Sequence, residues 1–421
     1  MKRKLLKSLS SSGCCLLFIT GAMLIMPPNL AGQGKIYPQG NIFPLGLFAV
    51  INKSDMEIVK KAGFNMVHIY DSKMDISSAK AYLQEAKEVG IKVKMNMPAT
   101  KYQSGSDKFW INYVKACAEY SALAWWYIPE EEYDLVATER LVNIIKTSDP
   151  KNRPICTYLG QYNQIKKFMP VIDIMEGGQY YPYYTEPRIA TKIWIDEIVE
   201  NSDEGDVAIG ALQFFDFGKD DPTVQDARHD AYLDIVSEAK GLYWFSYYRG
   251  IRECPPSLWE GIKQIVYEVG GQSDGRVNPD PLGPVILSPD IPQSITMEII
   301  SGRTRVPGPY YGKRSYYNSI NWLQKEHNGV IYLIAVNSAE STVMARFGNI
   351  PSKVSGVQVM FEDRNIIVTN GSFIDTFNKI GVHIYKMLRL NLIEPKNLII
   401  PDRVNSRQKR DLQLAAQELG Y

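Results

Sequence analysis

The sequence predicts a (β/α)8 TIM barrel followed by an antiparallel β-sandwich domain, and three observations predict it. From Ile42 to about Gly270, short apolar strands alternate with helical segments. Eight such units fill about 230 residues, close to the ~250 of a barrel of this kind. Beyond about residue 275 helical periodicity stops, and strand-like runs separated by turn residues take over. A doubly wound open sheet is the structural rival. The count of eight units, and the lack of a glycine-rich nucleotide fingerprint after the first strand, favour the barrel.

The elements follow in order. IFPLGLF (42–48) is the first strand, and Ser54 is placed to cap a helix carrying Ile58, Val59 and Ala62. NMVHIYD is the second strand, ending at Asp71. The second helix, 77–89, stops at Gly90, as a glycine past a helix end should make it. IKVKMNMP is the third strand. The junctions VKKAGFNMVHI and EAKEVGIKVKM resemble each other at a spacing of 27 residues, a weak repeat expected of successive βα units. ALAWWYI, RPICTYLG, VIDIMEG, DVAIGALQFF and GLYWFSYY are strands four to eight, with helices near 188–200, 224–239 and 258–270. The barrel is therefore placed at 36–274. GGQSDGRVNPDPLGP reads as a linker, and runs from SITMEII to VHIYKML place the sandwich at 283–388. Residues 389–421 read as an extended strap and a helix.

Composition narrows the function. The chain has 421 residues, with 47 basic against 46 acidic ones and no basic stripe, so nucleic acid is not an expected partner. The first 31 residues join a basic start, MKRKLLK, to the apolar GCCLLFITGAMLIM and end in Ala31, the pattern of a secretory signal peptide. The expected location is thus secreted, periplasmic or cell-surface. A membrane anchor is the alternative, but the apolar run is short of the ~20 residues of a spanning helix. No later segment is long and apolar enough to span. Cys117, Cys156 and Cys254 are too few and too widely spaced for a disulfide framework, and the four histidines show no metal-ligand spacing. No metal or cofactor is expected. The 26 tyrosines and 7 tryptophans are clustered, which suits a sugar-binding cleft as well as a core.

Barrel active sites form at the C-terminal ends of the strands. Those ends carry Asp71, Asn96, the Glu130–Glu132 run, Tyr158, Glu176 with Tyr180 and Tyr181, Gln213 with Asp216, and Trp244. This set resembles the clan of retaining glycoside hydrolases built on (β/α)8 barrels, often followed by a β-sandwich. That clan carries its acid/base glutamate after strand four, preceded by Asn or Asp and followed by Pro. By the match to YIPEEE, the resemblance implies Glu131 as acid/base and Glu130 as the preceding residue, with Glu132 where the clan has proline. It also implies Tyr181 after strand six and Trp244 after strand eight. The departure is at strand seven, where the clan's nucleophilic glutamate is replaced by Gln213, which cannot act as an anion.

Glycoside cleavage needs a second carboxylate opposite the acid. Glu176 is the first candidate, with Asp216 and Asp71 behind it. Each has an ordinary alternative: a turn cap for Glu176, a loop-orienting role for Asp71, and solvation for Asp216. The glutamate run itself is also what a solvated helix N-terminus looks like. Trp126, Tyr181, Trp244 and other strand-end rings are candidate sugar platforms. Strand alternation puts about half of such rings in the core. The expected partner is a carbohydrate, either hydrolysed or bound by a catalytically silent barrel.

Overall fold

The computed structural model describes residues 42–99, 107–181, 186–216 and 222–389. The expected signal segment and the C-terminal strap and helix lie outside these residues. Eight parallel strands close into a barrel in sequential order: β1 (Leu45–Phe48), β2 (Met66–His68), β3 (Lys92–Asn96), β4 (Leu123–Tyr127), β5 (Ile155–Tyr158), β6 (Ile174–Gly177), β7 (Val207–Gln213) and β8 (Leu242–Phe245). The helices are α1 (Lys53–Lys61), α2 (Ile76–Val89), α3 (Asp107–Ala118), α4 (Leu135–Ser148), the single turn α5 (Ile165–Phe168), α6 (Ala190–Glu200), α7 (Val224–Val236), α8 (Tyr247–Glu253) and α9 (Pro256–Gly270).

Local chemistry sets the boundaries. α2 ends at Gly90 in the left-handed region, φ 75°, where a Cβ would be strained. α1 is capped by Asn52, which accepts from the Asp55 amide, and not by Ser54; the Ser54 hydroxyl instead donates to Asn52 Oδ1. The expected linker is itself structured. It holds the hairpin β9 (Gln272–Ser273) and β10 (Arg276–Val277), then the short helix α10 (Leu282–Ile286).

The C-terminal part comprises β11 (Thr296–Ser301), β12 (Arg305–Pro307), β13 (Tyr316–Asn318), β14 (Ile320–His327), β15 (Val330–Asn337), β16 (Val343–Gly348), β17 (Val354–Val359), β18 (Arg364–Ile367), β19 (Phe373–Phe377) and β20 (Val382–Arg389). A five-stranded sheet, β14-β15-β20-β17-β18, and a three-stranded sheet, β11-β16-β19, are both antiparallel. Phe347 and Phe373 from the smaller sheet meet Tyr385 from the larger at 5.6 and 5.0 Å between ring centres. β12 and β13 form a separate hairpin.

The sandwich is fastened to the barrel through α6 and α7. α7 is buried on nearly every side, so its polar residues need partners. Asp226 accepts from Arg188, which also pairs with Glu340 of the sandwich. His229 lies 2.7 Å from Asp230 and 3.2 Å from the Ser338 hydroxyl. Asp234 accepts from Thr191 at 2.7 Å, and Gln225 donates to the Lys379 carbonyl.

The barrel lumen is not wholly apolar. Lys94, on β3, and Glu176, on β6, form an ion pair with both side chains 0% exposed. The ammonium sits 3.7, 4.1 and 4.4 Å from the ring centres of Phe48, Tyr243 and Tyr127, a cation–π box. Burial pushes the Glu176 carboxyl above its ordinary value, against the pull of Lys94. Breaking such a pair from one side strands a charge. Glu176→Gln is expected to lose about 3–5 kcal/mol of stability, whereas Lys94→Met with Glu176→Leu recovers most of it. Urea unfolding of the three variants checks this.

Candidate functional site

The barrel's C-terminal face is built by residues that follow each strand. Inward-pointing side chains at the strand tips include Phe48, His68, Tyr127, Gln213 and Phe245, with Tyr70 and Tyr180 just beyond. Phe48 contacts Tyr70 and Phe245 edge-on at 5.7 and 5.4 Å, and Tyr70 contacts Phe245 at 5.1 Å. Tyr180 meets Phe215 edge-on at 5.1 Å and stacks on Phe245 at 6.3 Å. These rings form one aromatic wall.

Glu130 is the carboxylate set among them. Its two oxygens accept hydrogen bonds from the hydroxyls of Tyr70 and Tyr127, the latter at 2.7 Å. Glu131 turns to the rim. Its φ is +54°, its amide donates to the Tyr158 carbonyl at 3.1 Å, and its carboxyl lies over Gly160. A Cβ on Gly160 would stand 2.2 Å from Glu131 Oε1, so the glycine makes room for the acid. Partial burial, and then the charge of Glu130, push the Glu131 carboxyl above its ordinary value. Glu132 has the helix-end role: it accepts from the Asp134 amide at 3.0 Å, and Asp134 caps α4. The three consecutive glutamates thus do three different things.

Ala49, Tyr70 and Glu131, which follow β1, β2 and β4, all have left-handed φ angles between 54° and 59°. A non-glycine residue there costs of order 1–3 kcal/mol, and such strain gathers at functional sites.

Beneath the cup, His68 Nε2 donates to Asn96 Oδ1 at 2.6 Å. Burial and the nearby Lys94 charge hold the imidazole well below its ordinary pKa, so it stays neutral. Its role in the structure is packing and hydrogen bonding.

The other expected site residues separate into groups. Gln213 ends β7 pointing inward, three strands round from Glu130. Its amide nitrogen donates to the Phe215 carbonyl at 3.1 Å, and its buried Oε1 has no hydrogen-bond partner among the described residues. Asp216 follows, half-buried. Glu176 lies below the cup, sealed against Lys94, and is not exposed to it as a free carboxylate. Asp71 is exposed and accepts from the Lys73 amide at 2.8 Å, a turn-orienting contact. Tyr181 packs its ring under the Arg188 guanidinium at 3.9 Å.

Trp126 and Trp244 correct the expectation of sugar platforms. Both are 0% exposed and face the outer helices. Trp126 donates to Asp149 at 2.8 Å, and Trp244 packs on Phe64 at 5.6 Å. The reason for Trp126 is a register shift between β3 and β4: Val93 pairs with Leu123, but Lys94 pairs with Trp125. The extra residue puts both Ala124 and Trp125 in the lumen and turns Trp126 outward. On β8, Tyr243 and Phe245 take the inward positions that sequence reading gave to Trp244. Tyr70, Tyr127 and Phe245 also line the strand tips, outside the expected set; the parity of each strand is the signal that points to them.

A cavity of about 440 Å³ lies elsewhere, where α7 and α9 meet turns of the five-stranded sheet. Its charged groups are paired among themselves, Arg228 with Glu268 and Glu362 with His383.

Solved structures with the same architecture include a β-galactosidase from Bacillus circulans sp. alkalophilus, 8% identical with a TM-score of 0.56, covering 84% of this chain and 100% of that one. The shared fold is a closed eight-stranded parallel barrel with alternating helices, followed by antiparallel sheets. A putative α-galactosidase/melibiase from Bacteroides fragilis is similar at 8% identity and a TM-score of 0.53, covering 83% and 79% of the two chains. An α-amylase from Geobacillus thermoleovorans, complexed with acarbose, is 10% identical with a TM-score of 0.51, covering 83% and 98%. No sequence family and no curated protein matches the chain. At these identities the likeness is one of fold.

The outward placement of Trp126 has a measurable consequence. Trp126→Phe leaves buried Asp149 without one donor and is expected to cost about 1–3 kcal/mol of stability in urea unfolding. Binding of any sugar at the cup is expected to be unchanged, as isothermal calorimetry can check.

Proposed function

We propose that this protein takes a carbohydrate at the C-terminal face of its barrel and hydrolyses a glycosidic bond, with Glu131 as proton donor. The observation that carries this reading is the Glu130–Glu131 pair. One carboxylate is held by two tyrosine hydroxyls in a ring-walled cup, and its neighbour is pushed toward the protonated form at the rim. A general acid must hold its proton near the working pH, which a raised carboxyl pKa favours. The ring faces suit the C–H faces of a sugar. The glycoside hydrolase neighbours of the fold support carbohydrate as the ligand class. The N-terminal basic and apolar segment supports export.

A second reading is binding without turnover. Gln213 stands where a nucleophilic carboxylate would be, and Glu176 is held by Lys94. Asp216, at the same strand end as Gln213, is then the carboxylate on which hydrolysis depends.

Glu131→Gln separates the readings. Under the hydrolase reading, turnover of a cleaved glycoside falls at least about 100-fold while sugar affinity and thermal stability are kept. Unchanged turnover removes Glu131 from the role, and binding across a glycan panel with no cleavage by the wild type establishes the second reading. The pH profile gives an independent check. Activity needs protonated Glu131, so it declines as pH rises through that group's raised pKa. Glu130→Gln removes the second cause of the shift, and the alkaline limb is expected to move to lower pH.

A further inference from the structure

The hairpin of β12 and β13 leaves the sandwich and grips the barrel beside the cup. Its loop, 308–315, carries Tyr310 and Tyr311. Tyr311 is the anchor: its ring lies 5.2 Å from Tyr162 and 6.2 Å from Trp194, and its hydroxyl accepts from Trp194 Nε1 at 3.1 Å. The same hydroxyl reaches Gln179 Oε1 at 3.4 Å, and Gln179 precedes Tyr180 of the aromatic wall. Lys313 adds two ion pairs to α6, with Glu197 at 2.6 Å and Glu200 at 2.5 Å. Tyr162 donates to Glu197 at 2.8 Å, which closes the network. Within the loop, Gly308 donates to Ser315 and Gly312 to Pro309. The loop is thus fixed in place by contacts that do not involve Tyr310.

Tyr310 itself is 92% exposed, touching Tyr311 edge-on at 5.2 Å. Tyr316, on β13, is 60% exposed. A tyrosine ring on a rigid loop loses little conformational entropy when a ligand stacks on it. A protein partner normally covers ~800 Å² a side with an apolar centre. Tyr310 has no such surroundings: its chain neighbours Pro309 and Tyr311 are buried and half-buried, and the other exposed residues of the loop, Lys313, Arg314 and Ser315, are polar. An exposed flat ring on a loop whose other exposed side chains are polar suits a sugar residue, which presents one C–H face and a rim of hydroxyls.

We infer that Tyr310 is a remote sugar-binding platform, and that the ligand is a polysaccharide chain running from the strand-tip cup past Gln179 onto the hairpin. This rests on the carbohydrate reading of the cup and deepens it: the substrate is a polymer, gripped some residues away from the bond at the acid pair. The β-sandwich then contributes to recognition by holding the hairpin against α6.

Affinity electrophoresis in native gels containing soluble starch, galactomannan, xylan or mixed-linkage β-glucan tests this. At least one polymer is expected to retard the wild type, and Tyr310→Ala to need about three- to ten-fold more of it for the same retardation. Affinity for a di- or trisaccharide of that polymer, which fills the cup alone, and the melting temperature are expected to be unchanged. Equal retardation of Tyr310→Ala and wild type overturns the platform while leaving the cup reading intact, provided the short fragment binds. If neither polymer nor fragment binds, both readings fail.

Discussion

The buried pair of Lys94 and Glu176 organises the molecule from the inside. Two charges withdrawn from water fit only in close contact, with their remaining surface covered by groups that tolerate them. Here the cover for the ammonium is aromatic: Phe48, Tyr127 and Tyr243 enclose it. Two of those rings reappear one layer up. Tyr127 sends its hydroxyl to Glu130, and Phe48 stands against Tyr70 and Phe245. The lumen's electrostatics and the shape of the cup are therefore fixed by the same side chains. Ion pairs of this kind add little net stability over apolar packing. What this one supplies is a fixed position for the rings above it.

The cup combines two locally costly conditions. Its backbone carries left-handed non-glycine residues after three strands, and it keeps a carboxylate among rings. Both are unfavourable locally. The cost is offset by the layers below and around, where β-strand and helix side chains pack into large buried apolar clusters. The candidate site sits on top of a well-covered frame, as the fold's strand-end loops allow.

The alternation of strands and helices was plain in the sequence because apolar period is set by secondary structure, and Gly90 marked its helix end for a steric reason. The acidic run was also legible as a candidate site. Which of its members faces inward was not, because that depends on the left-handed turn at Glu131, which no residue type announces. Trp126 was misplaced by one extra residue in the β3–β4 register, which reverses parity from that point on. Lys94 and Glu176 are 82 residues apart, and neither strand alone suggests an ion pair. The hairpin's grip on α6 was equally hidden, since its partners lie more than 100 positions away in the chain.

α7 has the barrel on one side and β15 on the other, with His229 reaching Ser338 and Arg188 bridging Asp226 to Glu340. Such a helix belongs to two cores at once. Cutting the chain after α9 would take Ser338 from His229 and Glu340 from Arg188, and would turn an apolar flank out to water. The barrel is therefore not an excisable module, and gene shuffling that swapped its C-terminal half for an unrelated β-domain would have to redesign this one helix first.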